Sequence, residues 1–252
     1  MRCSSCGKSD IGKVRKTNQD AFLCDDDLGL YIVADGMGGH AAGEIAAREA
    51  VQAIHDMVVR GRDVIREFLG APATRESTRA ICRLLESSVQ SATYLVFGMA
   101  EQEPVRQGMG TTVSALLLSG AYGITAQVGD TRIYCVRGDD VIQLTEDHTL
   151  VNWQIREGML TPEEAARSPH RNVITRAVGN HDYVQVDTQV ISVRIGDRFL
   201  ICSDGLHGYV KRGEMAAILA GELPAACDTL INLALQRGGR DNITALTIEV
   251  CG

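Results

Sequence analysis

Several features that would point to a partner or a compartment are missing from this 252-residue sequence. No stretch reaches the roughly 18 apolar residues that a membrane span needs, and the opening MRCSSCGKSD lacks the apolar region of a signal peptide. There is no basic run and the formal net charge is −7, which argues against nucleic acid or an anionic membrane as partner. We therefore expect a cytoplasmic protein that binds neither.

The eight cysteines also lack the spacing of a metal or redox site. Cys3 and Cys6 form a C-x-x-C, but a structural zinc site takes four ligands, usually from two such pairs, and no second pair exists. A redox C-x-x-C opens a helix after a strand, whereas we interpret this one as part of a terminal tail. No cysteine lies in a C-x₅-R loop, so we expect no thiolate chemistry.

The chain has no internal repeat, low-complexity tract or Pro/Gly/Ser-rich linker, so we predict one domain over residues 1–252. Apolar periodicity predicts strands in consecutive runs with helices grouped between them, which favours an α+β fold with antiparallel sheets. The predicted strands cover 20–24, 30–34, 111–119, 122–129, 131–138, 140–145, 183–193, 198–203 and 242–250. The first predicted helix begins at Ala41, and further helices cover 75–99, 212–220 and 224–237. Residues 149–180 are predicted to be irregular with short helical pieces.

Short carboxylates stand at the edges of several predicted strands. These residues are Asp20, Asp35, Asp130, Asp204 and Asp241. Taken singly, the pairs 35–36 and 204–205 are Asp-Gly dipeptides that favour turns. If sheet packing gathers the strand ends, however, several like charges share a small volume, and divalent cations would remove that cost. Carboxylates, a carbonyl and water suit Mg²⁺ or Mn²⁺ rather than zinc.

Such a site also predicts a nucleophile and a substrate holder. A carboxylate can bridge two ions about 4 Å apart, and water between them becomes a nucleophile near neutral pH. Gly36 would let bare backbone turn its carbonyl onto an ion. Arg15 lies five residues ahead of Asp20, and its planar guanidinium suits two oxygens of a phosphate.

These motifs resemble the metal-dependent serine/threonine protein phosphatases of type 2C. The resemblance covers nearly the whole chain in eight stretches, in order DIGKVRKTNQD, VADGMGGH, GMGTT, VGDTRIY, LTEDHT, RNVITRAVG, CSDGL and GGRDNIT. DGMGGH without a long insertion is similar to the bacterial branch, whose members often reverse phosphorylation by a partner serine/threonine kinase. The resemblance implies a four-layer α-β-β-α sandwich and an enzyme that hydrolyses phosphoserine and phosphothreonine on proteins. We expect a monomer.

The resemblance also implies a set of metal ligands. Asp35 would bridge two Mn²⁺ or Mg²⁺ ions, and the carbonyl of Gly36 would bind one of them. Asp204 and Asp241 would ligate the other ion. Asp20 would sit beside the pair and contact a metal or its water.

A phosphate anchor, a flap and a third ion complete the implied site. Arg15 would hold the substrate phosphate, and residues 149–170 match the mobile flap beside the cleft. Asp130 matches a ligand of a third, weaker ion. Gly208 stands four residues after Asp204, where the family usually has another aspartate. We therefore expect the third site to be weak or absent.

Two alternatives remain open from the sequence. Gly36, Gly38 and Ala41 fit G-x-G-x-x-G/A with Asp56 some twenty residues on, which is typical of a dinucleotide-binding oxidoreductase. Against this, Asp35 would face and repel the pyrophosphate. The other alternative keeps the phosphatase fold but acts as a catalytically weak, phosphoprotein-binding regulator, and the intact set of acids argues against it.

Overall fold

The structure is a computed structural model that describes residues 2–38, 42–70 and 72–252. The predicted helix start at Ala41 lies outside the described residues. The strands are β1 Arg2–Asp10, β2 Asp20–Asp25, β3 Leu30–Met37, β4 Gly110–Thr111, β5 Val113–Ser119, β6 Tyr122–Val128, β7 Arg132–Arg137, β8 Asp140–Gln143, β9 Asp187–Ser192, β10 Arg198–Cys202 and β11 Ile243–Cys251. The helices are α1 Ala42–Arg60, α2 Arg62–Gly70, α3 Arg75–Gln102, α4 Leu150–Arg156, α5 Pro162–Arg167, α6 Asp204–His207, α7 Arg212–Leu219 and α8 Leu223–Arg237.

The strands form two antiparallel sheets. One has the order β1-β11-β10-β7-β8, and the other has the order β2-β3-β5-β6-β9 with β4 paired to β3. β1 pairs with β11 along its whole length, from Arg2 opposite Cys251 to Asp10 opposite Ile243. The interpretation of the first ten residues as a terminal tail is therefore wrong. The signal was weak because β1 is a polar edge strand whose side chains are mostly half-buried.

Three hydrophobic clusters define four layers. Tyr31 and Val33 of β3 pack between the two sheets with Phe199 and Ile201 of β10. Side chains alternate along a strand, so Leu30, Ile32 and Ala34 point the other way, toward α1 and α3. A third cluster joins the opposite sheet to α6, α7 and α8. The predicted α-β-β-α sandwich is confirmed, and burial of both sheet faces explains the continuous apolar runs.

The helices differ from the prediction in the extent of α3 and in the presence of α2 and the short α6. α3 extends to Gln102, and its start is fixed by a capping box in which Thr74 and Ser77 exchange side-chain-to-backbone hydrogen bonds. α2 was not predicted, because Ile65 and Phe68 are its only buried residues and so short a stripe gives little periodicity. None of the helices in the described ranges has the length and apolar character needed to span a membrane.

The segment predicted as a flap contains α4 and α5. Thr149 caps α4 by accepting from the backbone N–H of Asn152, and Thr161 with Glu164 forms a capping box at α5. The short helical pieces predicted here are therefore present. That residues 149–170 act as a flap subdomain stays a prediction.

Candidate metal centre

Asp35 and Asp20 lie opposite each other at the end of the β2–β3 pair. The backbone N–H of Asp35 donates to Oγ1 of Thr112 at 3.0 Å. Its carbonyl oxygen accepts from Oγ1 of Thr111 at 2.9 Å and from the N–H of Thr112 at 2.8 Å. The GMGTT stretch thus fixes the backbone of Asp35 and leaves its carboxylate for the site.

The carboxylate of Asp20 connects the two sheets. Its Oδ2 accepts from Oγ of Ser203 at 2.8 Å and from Oγ1 of Thr244 on β11 at 2.6 Å. Ser203 immediately precedes Asp204, the first residue of α6. Asp20 is therefore held beside Asp204 although the two are far apart in sequence.

The two Asp-Gly pairs are not turns. The pair 35–36 lies within β3, and the pair 204–205 begins α6. A Cβ on the first glycine would lie 2.0 Å from the carbonyl oxygen of Gly43 in α1, and one on the second would lie 1.9 Å from that of Asn242. Each glycine is required because backbone packs directly against backbone, which draws its aspartate inward.

Burial and mutual repulsion raise the pKa values of these aspartates. Burial first, then the charges of Asp204 and Asp241, raises the pKa of Asp20 to about 7, although its two hydroxyl partners oppose the shift. Burial and the charges of Asp20 and Asp204 raise the pKa of Asp35 well above its ordinary value, and burial with the charge of Asp241 raises that of Asp204. Together with Asp130 and Asp241, these three form what we call the acidic cluster.

Asp130 joins the cluster from the turn between β6 and β7. Its backbone carbonyl accepts a 2.9 Å hydrogen bond from Nε2 of His207, which ties the turn to α6. Burial, with the charges of Asp204 and Asp147, raises the pKa of Asp130 to about 7. Burial lowers the pKa of His207 to about 4, so this ring is a neutral donor. Gly208 ends α6 and adds no ligand at this point.

Arg15 is the cation that faces the cluster. Its Nη2 donates to Oδ2 of Asp241 at 2.7 Å, and about half of its side chain is exposed. The hydrogen bond to Asp241 raises the pKa of Arg15, despite partial burial, and the charges of Asp35 and Asp204 add to the effect. The guanidinium therefore lies between the acidic cluster and solvent.

The donor set fits hard divalent cations. Oδ1 of Asp20 and Oδ1 of Asp204 are buried and accept no hydrogen bond from the described residues, and buried carboxylate oxygens without a partner are costly. Within residues 2–38, 42–70 and 72–252, no group of three His, Cys, Asp or Glu side chains is by itself arranged to hold a metal ion. Because all the donors are oxygens, Mn²⁺ or Mg²⁺ fits this cluster better than zinc.

Sequence reasoning missed the residues that position the acids. Thr111, Thr112, Ser203, Thr244 and Asn242 contact them or their backbone. The available signal was small polar residues at the borders of otherwise apolar strands. Because their partners lie far away in the sequence, this pattern did not indicate which residues these side chains contact.

The dinucleotide fingerprint does not fit the fold. Gly36 belongs to β3, which pairs antiparallel with β2, β4 and β5. Asp56 lies within α1 rather than at the end of a second parallel strand. The fingerprint requires a parallel βαβ unit, so this alternative is wrong.

Comparison with known proteins agrees with the geometry. The chain matches the protein phosphatase 2C family over residues 6–229, and it belongs to that family. The serine/threonine phosphatase stp of Listeria innocua is 35% identical over 252 residues, covering 96% of this chain and 94% of that protein. The crystal structure of the Mycobacterium tuberculosis serine/threonine phosphatase PstP/Ppp has a TM-score of 0.88 and 32% identity over the full length of both chains. The PstP catalytic domain in complex with two manganese ions has a TM-score of 0.84 and 32% identity, covering 100% of this chain and 99% of that one.

Proposed function

We propose that this protein is a metal-dependent phosphatase that hydrolyses phosphoserine and phosphothreonine on proteins and reverses the action of a bacterial serine/threonine kinase. The observation that carries the proposal is the acidic cluster, whose buried oxygens lack partners, beside the half-exposed Arg15. The family match supports the reaction class, and relatives named serine/threonine phosphatase support the substrate class.

We assign the metal ligands as follows. Asp35 and the carbonyl of Gly36 would hold one ion, and Asp35, Asp204 and Asp241 would hold the second. Asp20 would contact a metal or its water, and Asp130 would serve a weaker third site. When bound, Mn²⁺ or Mg²⁺ would supply a water nucleophile at neutral pH and neutralise charge on the phosphate.

The chain's own residues bind and orient the substrate. The guanidinium of Arg15 would leave Asp241 and take two phosphate oxygens in a bidentate contact. It would then stabilise the charge that builds on those oxygens as the ester bond breaks. Burial raises the pKa of the Cys202 thiol, near the cluster, to about 12, so it is no nucleophile at neutral pH. We propose a single in-line displacement without a phosphoenzyme, in which a water oxygen would bond to phosphorus as the ester oxygen of the serine or threonine leaves.

We extend the proposal to the surroundings of the site. Residues 149–170 would act as a flap that selects the substrate, and Trp153 and Met159 expose apolar surface there. The three clusters that span the layers support a single domain over 1–252. Eight free cysteines are consistent with a location in the cytoplasm, and we propose that the protein acts there as a monomer.

The test is hydrolysis of p-nitrophenyl phosphate and of a phosphothreonine peptide, with Mn²⁺ and with EDTA. We expect turnover of both substrates that chelation abolishes. A phosphoprotein-binding regulator would instead bind the peptide without turnover. Turnover that persists in EDTA would overturn the metal-dependent mechanism.

A further inference from the structure

Residues 11–19, which we call the Arg15 loop, connect β1 to β2 without regular structure. The loop is exposed on both sides of Arg15, and Val14 exposes 66% of its surface. Little apolar burial holds it, so its position depends on hydrogen bonds to the rest of the protein. A phosphate anchor needs a fixed position, because an error of about 1 Å can cost a hundredfold in rate.

Three of these hydrogen bonds come from one buried side chain. Asn242 is 4% exposed and lies between Asp241 and β11. Its Nδ2 donates to the carbonyl oxygens of Ile11 and Thr17, both at 3.0 Å. Its Oδ1 accepts from the backbone N–H of Gln19 at 2.8 Å. Both amide hydrogens and the amide oxygen are thus used, and all three partners belong to the Arg15 loop.

These three bonds join the two ends of the loop at one point. Arg15 then lies at the apex and reaches Asp241, the residue just before Asn242. Gly12 supports the same placement: its φ is +78°, and a Cβ there would lie 2.2 Å from the carbonyl oxygen of Asp241. The N–H of Lys13 also donates to the carbonyl of Gly239 at 2.6 Å. One dipeptide, 241–242, therefore carries both a proposed metal ligand and the clamp of the loop.

We infer that Asn242 is a positioning residue that holds the guanidinium of Arg15 at a fixed distance from the metal centre. The inference rests on the proposed role of Arg15 in binding phosphate. Asn242 would touch neither phosphate nor metal with its side chain, and it would act only through the loop. Its loss would therefore weaken phosphate binding only where Arg15 is present.

The test is inhibition of p-nitrophenyl phosphate hydrolysis by inorganic phosphate at saturating Mn²⁺. We expect Asn242→Ala to raise the Ki of phosphate by about tenfold, while Mn²⁺ affinity measured by calorimetry changes by less than about twofold. The same substitution in an Arg15→Ala background should change the Ki by less than about twofold, because the residue through which it acts is gone. A merely structural role would give equal effects in both backgrounds.

A second substitution in the loop and a control substitution far from it separate an effect on the loop from a general loss of stability. Gly12→Ala should push the loop away from Asp241 and raise the phosphate Ki with Asn242 intact. Asp197→Asn breaks a buried ion pair at the far end of β10, so it should lower the melting temperature and leave the Ki unchanged. A wild-type Ki in both loop variants, or an equal shift without Arg15, would overturn the inference. A wild-type enzyme without turnover would instead refute the proposed function.

Discussion

Two buried aspartate sites lie at opposite ends of β10, a strand of five residues, and they are neutralised differently. Asp197, just before the strand, is 1% exposed and accepts two 2.7 Å bonds from Arg137 and one of 2.8 Å from the N–H of Arg194. Burial alone would raise the pKa of Asp197, but these bonds and charges lower it. Beyond the other end of the strand, burial dominates and raises the pKa of Asp204.

The difference shows what each site lacks. At Asp197 the chain supplies its own cation. At the acidic cluster it supplies Arg15, which bonds to Asp241 alone among the acids and remains half exposed. A cluster that keeps its carboxylates close together without enough positive charge is destabilising unless ions from solution join it. We therefore interpret the cluster as built for cations and the Asp197 pair as built for stability.

The largest effect, on both turnover and stability, should come from replacing a charged aspartate of the acidic cluster by the neutral asparagine. Asp35→Asn or Asp204→Asn should lower kcat by at least about a thousandfold, because each removes a ligand and a negative charge that the ions need. In EDTA near pH 7, the same variants should raise the free energy of unfolding by about 1–3 kcal/mol. The raised pKa values mean that each buried carboxyl either carries an unfavourable charge or must take up a proton on folding, and an amide does neither. Turnover of p-nitrophenyl phosphate and urea unfolding measure the two effects.

Asp197→Asn is the matched control for that experiment. It should lower the free energy of unfolding by about 1–3 kcal/mol, less than a fully buried pair would lose because Arg137 is partly exposed to solvent. Its kcat should stay within about twofold of wild type, since the pair lies far from the cluster. If the cluster variants were destabilised like Asp197→Asn, the comparison would fail.

The pH dependence of stability should separate the sites next. In the metal-free protein the pKa values of Asp20 and Asp130 are raised to about 7, against about 3.9 in the unfolded chain. Between these values the folded state holds more protons, so the free energy of unfolding should fall as pH rises from 4 to 7, by at least about 2 kcal/mol. The stability that Asp197 adds, with its lowered pKa, should disappear only as pH falls below about 4.

Urea unfolding at several pH values, with EDTA and with Mn²⁺, checks both the fall in stability between pH 4 and 7 and the loss of stability below pH 4. Bound metal keeps its carboxylate ligands deprotonated, so Mn²⁺ should reverse the fall between pH 4 and 7. Asp130→Asn should make the metal-free fall shallower. Asp197→Asn should lower the free energy of unfolding by a constant amount above about pH 4 and remove the loss of stability below that pH. A metal-free stability that rises toward pH 7 would contradict the raised pKa values.

Much of the fold and of the acid set could be predicted from sequence, for a physical reason. Both faces of each sheet are buried, so strands such as β3 appear as continuous apolar runs. Asp35 and Asp204 stand next to such runs, and their following glycines mark close backbone contact. The acidic residues of the site could therefore be identified from short local stretches of sequence.

The positioning residues could not be predicted, because their partners are remote. Asp20 is held by hydroxyls 183 and 224 residues away, and Asn242 clamps a loop 223 to 231 residues away. Packing of one sheet on the other brings Asp20 to its hydroxyl partners, and the pairing of β1 with β11 brings Asn242 to the loop. The edge strand β1 was missed for a similar reason, because its pairing with β11 joins the two ends of the described chain.

A smaller effect should appear in the number of metal sites. Gly208 adds no carboxylate beside Asp130, and the affinity of a site for a divalent ion depends on the number of charged ligands. Calorimetric titration with Mn²⁺ should therefore show two tightly bound ions and a third bound at least about tenfold more weakly. Asp130→Asn should remove the weak phase and leave the tight ones. Three ions of similar affinity would refute the weak third site.

The smallest effect should come from Cys3→Ser and Cys6→Ser. Residues three apart in a strand point to opposite faces of the sheet. Cys3 packs toward the layer between the sheets, and Cys6 packs toward the layer of α8. The two thiols therefore cannot converge on one ion, and each substitution should leave kcat and Mn²⁺ affinity within about twofold and cost at most about 1 kcal/mol of stability. Elemental analysis should find the same zinc content in the wild type and in both variants. Zinc that is bound by the wild type and lost in either variant would show that the pair is a metal site.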